Sequence, residues 1–169
     1  IVQGWQAGLG IGEAIGRYIL KHPGKFPHRR LSLLAAGAQL GLPVTVHVAI
    51  GTDIIHMHPS ANGEAIGGGS LLDFRKLAAV VSHLEGGVYI NLGSAVLMPE
   101  VFLKTVTLGR NLGKALKQIT TVNMDFLPHY RPMTNVVKRP TQKGGKGYAL
   151  TGHHELMVPL LAAAVLERL

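Results

Sequence analysis

The sequence predicts an α/β fold in which helices cover both faces of a mostly parallel sheet, a three-layer, Rossmann-like sandwich. Two observations support this prediction. Short runs rich in β-branched residues alternate along the chain with longer segments whose apolar residues recur at helical spacing. Glycine or proline separates most neighbouring segments, and strands that alternate with helices are typical of parallel sheets.

The composition indicates one folded domain over residues 1–169. Hydrophobic residues make up 47% of the chain and charged residues only 15%, which is enough apolar surface for a core and for subunit contacts. We therefore expect a homo-oligomer, either a dimer or a tetramer. The longest uncharged apolar run, 156–166, is too short to cross a bilayer, so no membrane association is expected.

The chain contains no cysteine, so neither a disulfide nor a cysteine nucleophile is available and a cytoplasmic location is expected. It begins at Ile1, and we expect it to be the ordered part of a longer protein. The net charge of +8 comes largely from two clusters, 21–30 and 138–146, with little aromatic interleaving. This distribution favours solvated loops or attraction of a small anionic ligand over a nucleic-acid interface.

Glycines dominate residues 8–16, which resemble a phosphate-binding loop at a helix start. Their spacing differs from the dinucleotide fingerprint, so small residues for close helix packing are the preferred interpretation. A helix is expected over 29–40, because its leucines have helical spacing and Gly41 can end it. Pro43 then precedes a β-branched run that predicts a strand over 44–50.

The polar, glycine-rich stretch 57–70 is expected to be a loop, after which Ser70 would cap a helix over 71–84. The remaining elements follow the same alternation: a strand over 88–92, a helix over 99–117, a strand over 119–123, a polar loop over 125–147, a strand over 148–151 and a final helix to Leu169.

All four predicted strands end in small, polar or ionisable residues. Because ligands bind outside the carboxyl ends of parallel strands, these residues predict a ligand site at one edge of the sheet, the carboxyl edge. The strand ends are Gly51-Thr52-Asp53, Asn91-Leu92-Gly93-Ser94, Asn123-Met124-Asp125 and Thr151-Gly152-His153-His154.

A nucleotide is the first candidate ligand for this edge. Glycine at a strand end allows close approach of phosphate or ribose, helix N-termini supply N–H donors, and Asp53 or Asp125 could accept ribose hydroxyls. Glycines at strand ends are also ordinary turn formers, so the pattern leaves both interpretations open.

A metal-dependent hydrolase is the alternative, because the nine histidines include His56, His58, His153 and His154 near candidate acids. If residues 55–59 are extended, His56 and His58 face the same way and could share an ion, whereas a helical turn would make them diverge. No standard zinc spacing occurs, so helix capping or backbone bonding is the preferred role for these histidines.

Nucleophilic catalysis has weaker support. Ser60, Ser70 and Ser94 lack the Gly-x-Ser-x-Gly elbow of serine hydrolases. Lys138 follows a loop expected to return to the carboxyl edge, which makes it the candidate for covalent lysine chemistry.

The order of segments resembles the deoxyhypusine synthase family. The family has a proline-started strand with a Thr-Asp turn, a leucine-rich helix, a strand ending in three glycines, an Arg-Pro loop and a closing Pro-Leu-Leu helix. Here the corresponding pieces are Pro43 to Gly51-Thr52-Asp53, the helix 71–84, the strand 88–92 with Gly93-Ser94, Arg131-Pro132, and Pro159-Leu160-Leu161.

The resemblance implies a tetrameric, NAD-dependent transferase that moves the butylamine group of spermidine to a protein lysine. It also implies that the cofactor would lie against the carboxyl edge. The residues carried over are Gly51, Thr52, Asp53, Gly93, Ser94, Asn123, Asp125, Gly152 and His153.

The chain departs from the family at the polyamine pocket. The family's histidine pair falls near Pro99 and Glu100, its Asp-Glu is Met133-Thr134, and Lys138 lies two residues early for the imine-forming lysine. We therefore expect the fold, with NAD or another small anion at the edge, without the family's reaction. Asp53, His56 and His153 are the acid–base candidates. A non-catalytic binding or scaffold protein is a further alternative.

Overall fold

Three parallel strands and seven helices form a mixed α/β structure in the computed structural model, which describes all residues from 1 to 169. The α/β class and the parallel sheet predicted from the sequence are confirmed. The chain divides into two compact units, residues 1–79 and residues 80–169, which are described separately below. Single-domain organisation and self-association stay predictions.

The sheet lies entirely in the second unit. Its strands are β1 (Val88–Leu92), β2 (Thr120–Asp125) and β3 (Lys146–Thr151), in the order β1-β2-β3. Helix α5 (Leu97–Asn111) joins β1 to β2. Helix α6 (Tyr130–Pro132), which continues as a π-helix (Met133–Lys138), joins β2 to β3, and α7 (His154–Leu166) follows β3.

One face of this sheet packs against α5 and the π-helix. The ring of Tyr89 stacks on Phe102 of α5 at 3.6 Å between centroids, and the hydroxyl of Thr121 donates to the carbonyl of Val136 at 2.7 Å. Alternate residues of a strand point to opposite faces, so Val88 and Ile90 lie on the other face, where both are exposed. Within residues 80–169, α5 and the π-helix therefore cover this one face.

The first unit is helical. It contains α1 (Val2–Gln6), α2 (Ile11–Lys21), α3 (Leu33–Leu40) and most of α4 (Gly63–Val81). Single 3₁₀ turns occupy Arg29–Leu31 and Ile54–Met57.

The helix predicted over 29–40 begins later than expected. Ser32 accepts the N–H of Ala35 at 3.3 Å and so caps α3, while residues 29–31 form a separate 3₁₀ turn. Gly41 ends α3 in the left-handed region with φ of 68°, which confirms the predicted C-cap, since glycine adopts this conformation without a steric penalty.

The glycine-rich start of α2 serves close packing, as preferred from the sequence. A Cβ atom at Gly12 would overlap the carbonyl of Val44, and one at Gly16 would overlap the carbonyl of Leu34. The N–H of Gly12 donates to the buried carboxylate of Asp73 at 2.9 Å. An internal carboxylate therefore lies where a phosphate group would sit in a phosphate-binding loop.

The predicted strand over 44–50 is wrong, because this segment pairs with no strand. Side chains of α4 bind its backbone instead. The N–H of Val46 donates to Asp73 at 2.9 Å, the N–H of Val48 donates to Ser70 Oγ at 3.1 Å, and Ser70 Oγ donates to the carbonyl of Val46. Ser70 thus lies inside α4, and its predicted role as an N-cap is also wrong.

Two predicted loops contain helices. Residues 63–70, assigned to a loop because of their glycines, form the first turns of α4. Packing explains two of these glycines, since a Cβ at Gly68 would lie 2.5 Å from the Trp5 ring and one at Gly69 would lie 2.9 Å from Ile11. Likewise, Tyr130–Pro132 and Met133–Lys138 are helical within the predicted loop 125–147.

None of the helices is both long enough and apolar enough to traverse a lipid bilayer.

Candidate ligand site at the carboxyl edge of the sheet

Three strand ends lie side by side in the second unit. The parallel register continues past the strands, because the N–H of Gly93 donates to the carbonyl of Met124 at 3.0 Å and the N–H of Gly152 donates to the carbonyl of Asp125 at 3.2 Å. The structure thus brings together Gly93, Asp125 and Gly152, which the sequence placed at one edge.

Two buried amide side chains, which share a hydrogen bond, lie next to this edge. Asn91 and Asn123 are opposite each other in the register and each is 2% exposed. The Asn91 amide donates to Asn123 Oδ1 at 2.8 Å and to the carbonyl of Ser94 at 2.9 Å, so it ties β1 to β2 and to the turn after β1. The Asn91 Oδ1 atom is buried without a hydrogen-bond partner.

His154 reaches across the edge from the start of α7. Its Nε2 lies 3.9 Å from Asp125 Oδ1, and a Cβ atom at Gly93 would approach the same nitrogen to 3.0 Å. Gly93 has a φ of 68°, so both its backbone conformation and this close approach favour glycine. The other ring nitrogen of His154, Nδ1, is buried without a hydrogen-bond partner.

The Asp125 side chain is only 13% exposed, and its Oδ1 also accepts the N–H of Phe126 at 2.7 Å. Its carboxylate is therefore held in place beside the His154 ring. An imidazole beside a carboxylate is a pair of groups that general acid–base catalysis uses.

His153 occupies a more exposed position. Its ring contacts that of Phe126 at 4.6 Å between centroids, and its Nδ1 lies 3.7 Å from Glu155 Oε1. Phe126 is 54% exposed, so the two rings form an aromatic surface at the outer side of the edge.

Ser94 accepts the N–H of Met98 at 3.2 Å and so satisfies one donor at the start of α5. Both longer helices of this unit, α5 and α7, begin at the carboxyl edge, directly after β1 and β3 respectively. Their first turns place partial positive charge there.

The residues Gly51, Thr52 and Asp53 follow no strand and belong to the first unit. Their side chains bind their own turn: Asp53 Oδ2 accepts the N–H of Ala49 at 2.7 Å, and the Thr52 hydroxyl donates to the carbonyl of Ala49 at 3.0 Å. The sequence-based prediction that they end a strand of the sheet is wrong, because side chains of α4 bind the backbone of the preceding segment.

His56 and His58 lie on and after the 3₁₀ turn Ile54–Met57, the helical geometry in which they are expected to diverge. His56 Nδ1 donates to the carbonyl of Asp53 at 2.8 Å, while His58 Nδ1 accepts the N–H of Ser60 at 3.2 Å. No group of three or more histidine, aspartate or glutamate side chains converges as a metal site requires.

Lys138 lies at the opposite end of the sheet. The carbonyls of Val136 and Val137, the two preceding residues, contact Thr121 and Gly147, each the second residue of its strand. The Lys138 side chain is exposed. The prediction that the loop returns this lysine to the carboxyl edge is therefore wrong.

Sequence reasoning missed Asn91 and His154 as site residues. Both lay in the strand-end segments singled out, but the choice between His153 and His154 depends on where α7 begins. The alternation of side chains between the two faces of β1 could have identified Asn91. Asn91 lies on the same, covered face as Tyr89, and a buried amide on that face needs a hydrogen-bond partner.

No family model, curated protein or solved structure matches this chain.

Proposed function

We propose that residues 80–169 bind a nucleotide, with NAD as the first candidate, or another small anionic ligand at the carboxyl edge of the sheet. The single observation that carries this proposal is the arrangement of His154, Gly93 and Asp125. An imidazole, a carboxylate and a backbone without Cβ meet there at the ends of three parallel strands.

The charges of the edge suit a nucleotide. The first turns of α5 and α7 supply N–H groups and partial positive charge for phosphate. The Asp125 carboxylate is an acceptor for ribose hydroxyls, a role that acidic residues take in dinucleotide sites. The exposed ring of Phe126 beside His153 offers a surface on which a base can stack.

Two buried polar atoms without partners support a polar ligand. Unpaired buried atoms of this kind are uncommon in native proteins, and His154 Nδ1 and Asn91 Oδ1 both belong to the residues that form the edge. Both atoms are closed to solvent, so a ligand hydroxyl or a bound water can satisfy either one only after the side chain shifts.

The resemblance to the deoxyhypusine synthase family is the reason for choosing NAD among nucleotides. The departures at the polyamine pocket argue against the family's own reaction. We propose that His154, with Asp125 beside it, carries any acid–base chemistry at this edge, in place of the more exposed His153.

The proposal is tested by isothermal titration calorimetry of the full chain with NAD, NADH, ADP-ribose and inorganic phosphate. We expect NAD and ADP-ribose to bind with one-site stoichiometry. Asp125→Asn removes the charged acceptor and weakens binding by about tenfold, since a hydrogen bond to a charged group contributes about 1.5–3 kcal/mol.

Glu167→Gln is the matched control, because Glu167 is an exposed acid just beyond the far end of α7. It should leave the affinity unchanged. The proposal fails if no nucleotide binds, or if both variants change the affinity equally.

A further inference from the structure

A cavity of about 1090 Å³ lies within the first unit, separate from the carboxyl edge. Helices α1 and α2 form one side, and the segment 54–66 forms the other. Its volume is slightly above the range of typical small-molecule pockets, about 300–1,000 Å³.

Most of the cavity wall is apolar. Aliphatic side chains come from every element that lines it, including Val2 of α1, Ile15 of α2, Ile54 of the 3₁₀ turn and Ile66 of α4. Such a wall binds an apolar body by removing its surface from water.

The charged residues of the wall are all basic. Arg17 and Lys21 lie one helical turn apart on α2, and no aspartate or glutamate lines the cavity. Arg17 forms an exposed ion pair with Glu13, whereas the Lys21 ammonium has no hydrogen-bond or ion-pair partner in the structure. The wall therefore favours a negative charge on its ligand.

In two histidines of the wall, hydrogen bonds set which ring nitrogen carries the proton in the neutral ring. His58 Nδ1 accepts the backbone N–H of Ser60, so in neutral His58 the proton is on Nε2 and that atom is a donor. The His22 ring, in contrast, donates from Nδ1 to the carbonyl of Tyr18 at 2.8 Å and lies 4.1 Å from the Tyr18 ring. In their neutral forms, His58 therefore has a hydrogen-bond donor at Nε2, whereas His22 has an acceptor there.

We propose that this cavity binds an amphipathic anion, in which a carboxylate or phosphate group is attached to an apolar chain. The apolar chain fills the space between Val2, Ile15 and Ile66, and the anionic group lies near Lys21 and Arg17. This site is independent of the nucleotide proposed for the carboxyl edge.

The test is calorimetric titration of the full chain with dodecanoate and with dodecyl phosphate, both below their micelle-forming concentrations. Dodecanol is the uncharged comparison. We expect saturable binding of one or both anions at one site, with dodecanol about tenfold weaker, because dodecanol forms an ion pair with neither Lys21 nor Arg17 and each such exposed pair changes the affinity by up to about fivefold. The relative affinities of the two anions identify the preferred head group.

Two variants locate the binding. Lys21→Gln should weaken anion binding by up to about fivefold without affecting dodecanol. Ala61→Trp, at an exposed position of the wall, should weaken all three ligands by filling the cavity. Lys25→Gln is the matched control, since Lys25 is an exposed lysine outside the wall, and it should change nothing.

Circular dichroism and melting temperature confirm that each variant is folded before titration. The proposal is overturned if neither anion binds, if dodecanol binds as tightly as the anions, or if Lys21→Gln and Lys25→Gln have equal effects.

Discussion

The carboxylate of Asp73, on α4, accepts the backbone N–H of Gly12 near the start of α2 at 2.9 Å. The same oxygen accepts the N–H of Val46, and Asp73 is 0% exposed. One buried side chain therefore bonds α4 to α2 and to the irregular segment that follows α3.

Replacing Asp73 should strongly destabilise the first unit. Asp73→Ala leaves two N–H groups without an acceptor, and we expect the free energy of unfolding to fall by about 2–4 kcal/mol. Urea denaturation monitored by fluorescence of Trp5, the chain's one tryptophan, measures this loss. Asp53→Ala is the control, because Asp53 accepts one N–H in a half-buried turn and should cost about 1 kcal/mol. Equal losses in both variants would contradict the role assigned to Asp73.

Two neighbouring glycines of α4 should respond oppositely to alanine. A Cβ at Gly68 would lie 2.5 Å from the Trp5 ring, so Gly68→Ala should lower the free energy of unfolding by about 1–3 kcal/mol through overpacking. A Cβ at Gly67 meets nothing within 4 Å, so Gly67→Ala should raise it by about 0.5–1 kcal/mol, since alanine favours the helix. Chemical denaturation of both variants is the measurement, and effects of the same sign would argue against this packing.

His47 should make stability depend on pH. Burial lowers the pKa of His47 below its usual 6.5, an effect that the nearby charge of Asp73 partly opposes. As the pH falls, the unfolded chain therefore takes up this proton before the folded chain does, so stability is lost below pH 6.5 until the folded pKa is passed.

Melting temperatures between pH 7.5 and pH 5 measure this effect. His47→Gln should reduce the loss on acidification, whereas His28→Gln, at an exposed histidine, should retain the dependence of the original chain. An identical pH dependence in the original chain and in His47→Gln would refute the assignment.

The Asn91 and Asn123 amides should be energetically coupled. Their side chains share a hydrogen bond of 2.8 Å, and both residues are buried. In a double-mutant cycle with alanine at each position, we expect a coupling energy of about 1 kcal/mol in the free energy of unfolding. Asn111, an exposed residue at the end of α5, paired with Asn123 gives the control cycle, which should show no coupling. A coupling near zero for Asn91 and Asn123 would mean that the amide bond does not support the edge.

Strands β1 and β2 could be predicted from the sequence because each lies in a short run rich in β-branched residues. The run at 88–92, which lies between Gly87 and Gly93, forms β1, and the run near 120 forms β2. The run at 44–50 has the same local pattern, but side chains of Asp73 and Ser70 bind its backbone in place of a neighbouring strand. Local pattern gives no information about such distant partners.

Glycine content misled the prediction at 67–69 for a related reason. Glycine is a poor helix former on its own, and the tight packing of Trp5 and Ile11 against α4 explains Gly68 and Gly69, whereas Gly67 has open space around it. For the carboxyl edge, too, local sequence pattern was not sufficient to identify every site residue. Sequence placed Gly93, Asp125 and the histidine pair at one edge, but the start of α7 decides that His154, and not His153, lies beside Asp125.

Lys138 provides a contrast for the proposed site, because it lies at the opposite end of the sheet from Asp125. Lys138→Ala should leave the affinity for NAD within about twofold, a difference of about 0.4 kcal/mol, as expected for an exposed residue distant from the ligand. Calorimetry measures this affinity. A loss of tenfold or more would return Lys138 to the list of candidate site residues.

The most direct test of the nucleotide proposal is NMR titration of the ¹⁵N-labelled full chain with NAD, which monitors the Gly93 amide and the His154 ring nitrogens. If NAD binds at the carboxyl edge, these signals should shift saturably with one dissociation constant, and Asp125→Asn should weaken that constant. Absence of binding, or saturable shifts confined to residues 1–79, would contradict the proposal.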